Sequence, residues 1–492
     1  MENIASLDAT QIVARLGDLS LSSQEVTEFF LRRISKFNPE LNAFITVLEN
    51  SAFQKAEEAD SKIKKGKCTA ITGLPIAHKD LFCTSGILTT CGSKMLSNFI
   101  PPYNATVVER LNVAGTILLG KLNMDEFAMG SSNETSYFGP AKNPWDKERT
   151  PGGSSGGAAC AVAAKLAPVV TATDTGGSIR QPCSLTGTCG IKPTYGRVSR
   201  HGMIAFASSF DQGGIIGQSA SDLALLLGVI SGYDPKDSTS STHSVPDYFS
   251  EIKTQPKNLT LGIPDEYFDS NLPKIVRKRL DDVIELLNNL GHTIKRVSLP
   301  NINLSLPAYY VIAPAEASSN LARYDGIRYG HRALDSTNLV DLISKSRSEG
   351  FGMEVKRRII IGTYSLSHGY YEDYYRKAQK IRRLISNDFN SVFLSCDLIF
   401  APSTASTAFR LGDKPDPVEM YLEDVYTVGA NMAGLPAGSF QAGLIDELPI
   451  GFQFIGKAFD ESLILQTAHQ VQQSSSWHLH TPELRFEKLT NV

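Results

Sequence analysis

PGGSSGG at residues 151–157 and DTGGSIR at residues 174–180 are two glycine-rich segments that each hold a serine in a turn. Glycine allows positive φ and a close approach of the backbone to other atoms. A serine in such a turn can be directed at a ligand, while neighbouring N–H groups point the same way. An isolated lysine, Lys79, lies earlier in the chain, in LPIAHKD at residues 74–80. Two serines and a lysine can act as nucleophile, relay and base, which suits amide cleavage without histidine or metal.

The residue types suggest how the three side chains would share the work. Ser178 would attack a carbonyl, and the N–H groups of its glycine-rich turn would bind the resulting oxyanion. Serine needs a base, and Lys79 can be one only when it is neutral, which burial behind Leu74–Ala77 favours. Ser154 could lie between them, because a hydroxyl donates and accepts a hydrogen bond at once.

Two other interpretations of the glycine-rich segments stay open on spacing alone. One is a phosphate-binding loop, although neither GxxxxGK[ST] nor GxGxxG occurs in the chain. The other is a pair of structural turns that join helices to strands. Only the complete set of lysine and two serines favours catalysis.

Composition excludes several other classes of function. The 492 residues carry a net charge of −3, which gives no general basic surface for nucleic acid. The nine histidines show no HExxH motif and no Cys/His array with zinc spacing, so no metal site is expected. The seven cysteines include no CxxC pair and are expected to be reduced thiols in the cytoplasm. We also expect no signal peptide and no membrane span.

Periodicity predicts an α/β fold with a mainly parallel sheet. Residues 1–70 are expected to be helical, with Ser22 or Ser23 as a helix cap and Glu25 completing a capping box. From residue 71 to 232, short apolar runs alternate with helical segments, which is typical of parallel sheets. Residues 300–392 are expected to form a helical insertion.

These motifs resemble those of the amidase signature family, and the resemblance runs over nearly the whole chain. Within the family, later segments such as AEASSNLARYDGIRYG and EVKRRIIIGTYSLSHGYYEDYYRKAQ are similar to the glutamine-hydrolysing subunits of bacterial tRNA-dependent amidotransferases. The resemblance implies one amidase domain over residues 1–492. It would contain an N-terminal helical layer (1–70), a signature core (71–232) and an insertion lining the substrate pocket (300–392). The sheet would be mixed, mainly parallel and twisted, with helices on both faces.

The resemblance also implies catalytic roles. Ser178 would be the acylated nucleophile, Lys79 the general base, and Ser154 the bridging serine after a cis peptide bond from Gly153. The oxyanion hole would comprise the N–H groups of Thr175, Gly176, Gly177 and Ser178. One departure is His78, which stands where the family usually has valine and could perturb Lys79 or point away from it.

Substrate selection is implied by three further residues. Arg358 would bind the α-carboxylate of glutamine, since a guanidinium suits bidentate pairing. Asp424 would bind the α-ammonium group, and Tyr309 would line the same pocket. Without the resemblance, Arg358 is better explained as a solvated helix charge and Asp424 as an N-cap.

The implied activity is hydrolysis of glutamine through a glutamyl-serine ester, in a carbon–nitrogen ligase that takes glutamine as amido donor. The ammonia would pass to a partner subunit that converts Glu-tRNA(Gln), Asp-tRNA(Asn) or both, using ATP and Mg²⁺. This chain would hold no cofactor itself, would form a heterotrimer with B and C subunits, and would leave tRNA mainly to the B subunit. The alternatives are a stand-alone amidase that acts on a small amide and a non-catalytic scaffold subunit.

Overall fold

The structure is a computed structural model that describes residues 4–484, and within these residues eleven strands form one sheet. The strand order across the sheet is β1-β3-β2-β4-β6-β5-β10-β11-β9-β7-β8, where the strands are β1 Phe44–Val47, β2 Pro75–Lys79, β3 Ile117–Leu122, β4 Val170–Asp174, β5 Cys189–Lys192, β6 Gln212–Gly217, β7 Thr260–Pro264, β8 Thr293–Val297, β9 Leu398–Pro402, β10 Ala437–Ile445 and β11 Leu448–Gly456.

The described residues also form sixteen α-helices. They are α1 Ala9–Gly17, α2 Ser23–Leu41, α3 Glu49–Lys64, α4 Thr106–Val113, α5 Gly156–Ala163, α6 Arg180–Thr186, α7 Ala220–Ile230, α8 Tyr248–Glu251, α9 Lys274–Asn289, α10 Ser305–Asn320, α11 Leu339–Gly350, α12 Met353–Ser365, α13 Lys377–Val392, α14 Pro417–Tyr421, α15 Val428–Met432 and α16 Glu461–Gln473.

The sheet is mixed, which confirms the expected α/β class. Parallel pairing joins β3, β2 and β4 on one side and β9, β7 and β8 on the other. The strands between these groups, and β1 at the edge, pair antiparallel. The expected parallel pairing is therefore present in two groups of strands, and the strands between these groups alternate in direction.

Layers of structure cover both faces of the sheet. Every residue of β2, β4, β6 and β9 is buried. Successive side chains of a strand point to opposite faces, so a strand buried at every position must be covered on both sides. The apolar, alanine-rich α5 packs against β2, β3, β4 and β6, where its small side chains allow a close approach.

Local signals in the N-terminal region are mostly confirmed. The Ser22 side chain accepts a hydrogen bond from the Glu25 N–H, and Glu25 completes the capping box of α2. At the start of α7, Ser219 forms the same capping box with Asp222. The expected all-helical layer over residues 1–70 contains one strand, β1, because this segment pairs with the edge of β3.

The expected insertion at residues 300–392 contains helices α10 to α13, and α10 packs against both α12 and α13. No helix within residues 4–484 is both long and apolar enough to cross a membrane. The division of residues 1–492 into a layer, a core and an insertion stays a prediction, and residues 1–3 and 485–492 of that range lie outside the described residues.

Candidate active site

The candidate catalytic residues meet at one edge of the sheet. Lys79 is the last residue of β2, and β4, its parallel neighbour, ends at Asp174 just before the 175–178 turn. The carboxyl ends of parallel strands share an edge, where open α/β sheets usually bind ligands. The 151–155 turn leads into α5, which packs against both strands. The fold therefore brings together three segments that lie far apart in the sequence.

Lys79 is fully buried among hydroxyl groups. Its Nζ lies 2.7 Å from Ser154 Oγ, 2.9 Å from Ser155 Oγ and 3.0 Å from Thr173 Oγ1. Burial lowers the pKa of Lys79 from 10.5 to about 7, although the charges of Asp125 and Asp174 act in the opposite direction. A substantial fraction of Lys79 is therefore neutral near pH 7, as a general base requires.

The hydrogen bonds of Ser155 determine how Lys79 can interact with Ser154. Ser155 donates its hydroxyl proton to Thr173 O over 3.0 Å, so it can only accept from Lys79. A neutral amine has two N–H donors and one lone pair, whereas an ammonium group has three donors. When Lys79 is neutral, Ser154 is free to donate its proton to that lone pair over 2.7 Å. The contact therefore suits proton transfer from Ser154 to Lys79.

The turn at residues 175–178 presents backbone donors. Its residues are buried, and no acceptor within residues 4–484 takes a hydrogen bond from their four N–H groups. Buried N–H groups without an acceptor are uncommon and suit an oxyanion. The Ser178 hydroxyl also has no hydrogen-bond partner among the described residues. The predicted relay needs two hydrogen bonds, one between Lys79 and Ser154 and one between Ser154 and Ser178. Of these, the structure contains the first. Catalytic hydrogen bonds commonly tighten only when substrate binds.

A buried ion pair holds this turn. Arg180 Nε lies 3.1 Å from Asp174 Oδ2, and both side chains are inaccessible to solvent. Asn431 Nδ2 donates to Asp174 Oδ1 over 2.7 Å, and Thr427 Oγ1 donates to Gly176 O over 2.7 Å. These contacts fix the turn from both ends.

Glycine is required within the turn. Gly177 has a φ of +150°, and a Cβ atom there would lie 2.1 Å from Thr427 Oγ1. A Cβ atom on Gly176 would lie 2.9 Å from the Tyr309 hydroxyl. The absence of side chains lets the turn approach both Tyr309 and the segment that carries Asp424.

The segment before α5 is held by backbone contacts. The Gly153–Ser154 peptide bond is cis, as the resemblance implies. The Gly153 N–H donates to Gln181 Oε1 over 3.0 Å, and Ser154 O accepts from the Asp125 N–H over 3.2 Å. Gln181 lies on α6 directly after the nucleophile turn, so it ties the two serine segments together.

Arg358 and Asp424 are both buried, against what residue type alone suggests. Arg358 is 3% exposed and bonds Glu354 Oε1 through Nε over 2.8 Å. The Asp424 carboxylate accepts hydrogen bonds from Ser131 Oγ over 3.0 Å and from Tyr310 OH over 3.4 Å. Neither residue therefore plays its ordinary role, since Arg358 is not solvated and the Asp424 side chain caps no helix among the described residues.

Asp424 and Tyr309 both lie beside the nucleophile turn. A Cβ atom on Gly177 would be 3.3 Å from Asp424 Oδ1, and the Tyr309 ring faces Gly176. Burial raises the pKa of Asp424 to about 7, while the hydrogen bond from Ser131 and the charge of Arg358 act to lower it. An incoming ammonium group would stabilise its ionised form.

His78 forms its hydrogen bond with β4 and none with Lys79. Its Nδ1 lies 3.0 Å from Thr171 Oγ1 on β4, and its ring lies beside Phe82. Burial lowers the pKa of His78 to about 3, so the imidazole is neutral. It therefore adds no charge next to Lys79.

Several residues at the site have no sequence motif that identifies them. They contact the candidate residues from distant segments: Ser131, Ser155, Thr173, Tyr310, Glu354 and Tyr421. Of these residues, Ser155 was the easiest to infer from the sequence, because it adjoins Ser154 in the PGGSSGG segment. Within residues 4–484, no cluster of three or more His, Cys, Asp or Glu side chains could hold a metal ion.

Comparison with known proteins gives consistent matches. The amidase family model matches residues 25–465. The chain is 57% identical over 471 residues to the A subunit of glutamyl-tRNA(Gln) amidotransferase from Coxiella burnetii, covering 96% of this chain and 98% of that protein. It is 55% identical over 477 residues to the protein of the same name from Pseudomonas aeruginosa, covering 97% and 99%.

A solved structure matches to a similar extent. The crystal structure of the A subunit of glutamyl-tRNA(Gln) amidotransferase from Thermotoga maritima has a TM-score of 0.81 and 39% identity to this chain. The match covers 96% of this chain and 95% of that one. The family model and these relatives agree, and the chain belongs to the amidase signature family.

Proposed function

We propose that this chain is the glutamine-hydrolysing subunit of a tRNA-dependent amidotransferase. Relatives that share 55–57% of its residues over nearly their whole length are named as the A subunit of such an enzyme. The observation that carries the catalytic part of the proposal is the buried Lys79 amine, 2.7 Å from Ser154 and with a pKa of about 7.

In the first half of the reaction, Ser178 Oγ forms a bond to the side-chain amide carbon of glutamine. The Ser178 proton moves to Ser154 Oγ, and the Ser154 proton moves to Lys79. The N–H groups of residues 175–178 bind the oxyanion of the tetrahedral intermediate. When the C–N bond breaks, the proton returns from Lys79 through Ser154 to the leaving nitrogen. Ammonia departs, and a glutamyl ester on Ser178 remains.

In the second half, a water molecule replaces ammonia. It attacks the ester carbon while Ser154 and Lys79 take its proton, and the same N–H groups bind the second oxyanion. Collapse of this intermediate breaks the bond to Ser178 Oγ, which regains its proton through Ser154. Glutamate leaves and the free serine is restored.

Two opposite charges select glutamine among small amides. Arg358 binds the α-carboxylate, Asp424 binds the α-ammonium group, and Tyr309 lines the space between the turn and α10. Both charged side chains are buried, so each interacts more strongly with a substrate charge than it would in water. A small amide without these charges gains neither interaction.

The relatives are named as one subunit of an amidotransferase, which implies that their enzymes have several subunits. We propose the same for this chain, with B and C subunits in a cytoplasmic heterotrimer. The partner subunit would bind ATP, Mg²⁺ and tRNA, and would use the ammonia to amidate Glu-tRNA(Gln), Asp-tRNA(Asn) or both. This chain's own contribution is the hydrolysis of glutamine.

Trapping the ester tests the proposal. The assembled complex is incubated with glutamine, quenched in acid and digested, and the peptide that carries Ser178 is examined by mass spectrometry. We expect a glutamyl adduct on Ser178, with loss of both adduct and glutaminase activity in Ser178→Ala.

The control for this experiment is Ser85→Ala, because Ser85 is an exposed serine outside the site. It should retain full activity. Glutaminase activity retained in Ser178→Ala would contradict the mechanism. Rapid hydrolysis of simple amides in preference to glutamine would instead favour a stand-alone amidase.

A further inference from the structure

Arg358 is held by a carboxylate from its own helix. Arg358 Nε donates to Glu354 Oε1 over 2.8 Å, and the two side chains are only 4% and 12% exposed. A comparable pair on the next helical segment, Arg376 and Glu372, is 58% and 63% exposed. Exposed pairs of this spacing add little to stability, whereas a buried pair fixes both partners. The Glu354–Arg358 pair is therefore built into the pocket.

The guanidinium group of Arg358 is also confined by aromatic rings. Its central carbon lies 5.4 Å from the centre of the Phe206 ring and 5.3 Å from those of Tyr310 and Tyr421. Planar guanidinium groups interact favourably with aromatic faces. Three rings and one carboxylate leave Arg358 little freedom to rotate.

Glu354 also links the two charged ends of the pocket. Tyr421 donates its hydroxyl proton to Glu354 Oε1 over 2.8 Å, and its ring stacks on Tyr310 at 4.0 Å. Tyr310 in turn donates to Asp424 Oδ2 over 3.4 Å. A continuous set of contacts therefore runs from Arg358 through Glu354 to Asp424.

Most N–H groups of the Arg358 guanidinium have no protein acceptor among the described residues. Among the described residues, Nε–H is the only one of its five N–H groups with a protein acceptor. The four N–H groups on the two terminal nitrogens have none. A carboxylate accepts two parallel hydrogen bonds from such a fork. The contact with Glu354 therefore leaves the terminal nitrogens available to a ligand.

Glu354 is ionised in its pairing with the neighbouring arginines. It forms ion pairs with both Arg357 and Arg358. Burial acts to raise the pKa of Glu354, but the charge of Arg358 and the hydrogen bonds from Arg358 and Tyr421 outweigh it, so the pKa lies below its usual value.

We propose that Glu354 is a positioning residue that sets the selectivity of this site for an α-carboxylate. By holding Arg358 through Nε and Tyr421 through its hydroxyl, it directs the terminal guanidinium nitrogens at the substrate. This inference rests on the proposed glutaminase function. Glu354 does not touch the reacting amide, so its loss weakens substrate binding and leaves the chemical step intact.

Steady-state kinetics of the assembled complex test this role. Glu354→Ala should raise KM for glutamine about 10-fold or more, as expected for loss of a charge-assisted contact, while kcat changes by less than about twofold. Glu354→Gln keeps the shape of the side chain and one acceptor oxygen. This variant should therefore remain folded, and its KM should rise by a smaller factor. A fall in kcat as large as the fall in kcat/KM would overturn the proposal.

Two glutamine analogues separate positioning from a general structural effect. Glutaramate keeps the carboxylate and lacks the amine, and its kcat/KM should fall by the same factor as that of glutamine. 4-Aminobutanamide lacks the carboxylate, and its kcat/KM should not change. Equal losses for all three substrates would mean a structural role and overturn the inference.

The matched control is Glu372→Ala, which removes the exposed partner of Arg376 and should leave all constants unchanged. The two proposals fail separately. A wild-type complex that does not hydrolyse glutamine would refute the proposed function. A wild-type complex that does, with Glu354 variants of normal KM, would refute only the role of Glu354.

Discussion

Raising the pH from about 6 to about 8 should activate hydrolysis, because Lys79 can accept a proton only when it is neutral. With a pKa of about 7, Lys79 is about one-tenth neutral at pH 6, half neutral at pH 7 and nine-tenths neutral at pH 8. For a substrate without an ammonium group, the value of kcat/KM should therefore rise about tenfold over this range and level off above it. The direction follows from the lysine being the base in its deprotonated form.

Burial of Lys79 determines the size of this effect. A lysine with the ordinary pKa of 10.5 would be neutral in only about one molecule in 3,000 at pH 7. The change from 10.5 to about 7 corresponds to about 5 kcal/mol in favour of the neutral form. This difference comes from burying the amine away from water.

Asp424 complicates the profile for glutamine, because its pKa is also about 7 and only its ionised form pairs with an ammonium group. Glutaramate, which has no ammonium group, isolates the contribution of Lys79. Its kcat/KM should fall about tenfold per pH unit at low pH, while that of glutamine should fall more steeply. Asp424→Asn should remove the extra steepness and raise KM for glutamine. Initial rates of ammonia release in buffers of constant ionic strength give both profiles.

The result that would refute this reasoning is a glutaramate profile that keeps rising above about pH 9. Lys79 would then titrate near its ordinary pKa, and burial would not prepare it to act as a base. A flat profile from about pH 6 to 8 would also refute the reasoning, since it would mean that Lys79 does not accept the proton in the rate-determining step. Thermal unfolding at each pH separates these outcomes from loss of the folded state.

Two substitutions test the turn that carries the nucleophile. Asp174→Asn leaves the buried charge of Arg180 without its partner and should lower the free energy of unfolding by about 3–5 kcal/mol in urea titrations, whereas Glu372→Gln at an exposed pair should cost less than about 1 kcal/mol. Equal effects would contradict the structural role of the buried pair. Gly177→Ala places a Cβ atom 2.1 Å from a threonine hydroxyl and should lower kcat about 100-fold or more through misaligned oxyanion donors. Gly17→Ala, whose Cβ would meet no atom within 4 Å, should keep normal kinetics, and normal kinetics of Gly177→Ala would refute the argument.

Local sequence signals anticipated many elements of the fold. The cap of α2 could be predicted because a serine followed three residues later by an acidic residue satisfies free N–H groups wherever the helix packs. The strand β1 could not be predicted, because its four residues lie between two helices and gain their partners only from β3. The direction of each strand could not be predicted either, because an apolar run looks the same in a parallel and an antiparallel pair. The alternating directions at the centre of the sheet therefore follow only from the tertiary structure.

The residues of the candidate site also separate into those that the sequence predicts and those that only the structure reveals. Lys79, Ser154 and Ser178 could be predicted because glycine-rich turns mark the serines and an apolar run before Lys79 favours its burial. Thr173 was missed, since a threonine within a buried strand looks like any β-branched core residue. Glu354 was missed because its spacing to Arg358 is that of an ordinary surface pair, and only its burial distinguishes it.

The packing of α12 has a consequence for how this fold can diversify. Helix α12 carries Arg358 and packs mainly against α10, whereas Lys79 and the two serines are anchored to β2, β4, α5 and α6. Mutations that reshape α12 can therefore alter which amide enters while the hydrolytic machinery keeps its alignment. A lineage with this arrangement can acquire new substrates by exchanging one outer helix, and its reaction chemistry can stay constant meanwhile.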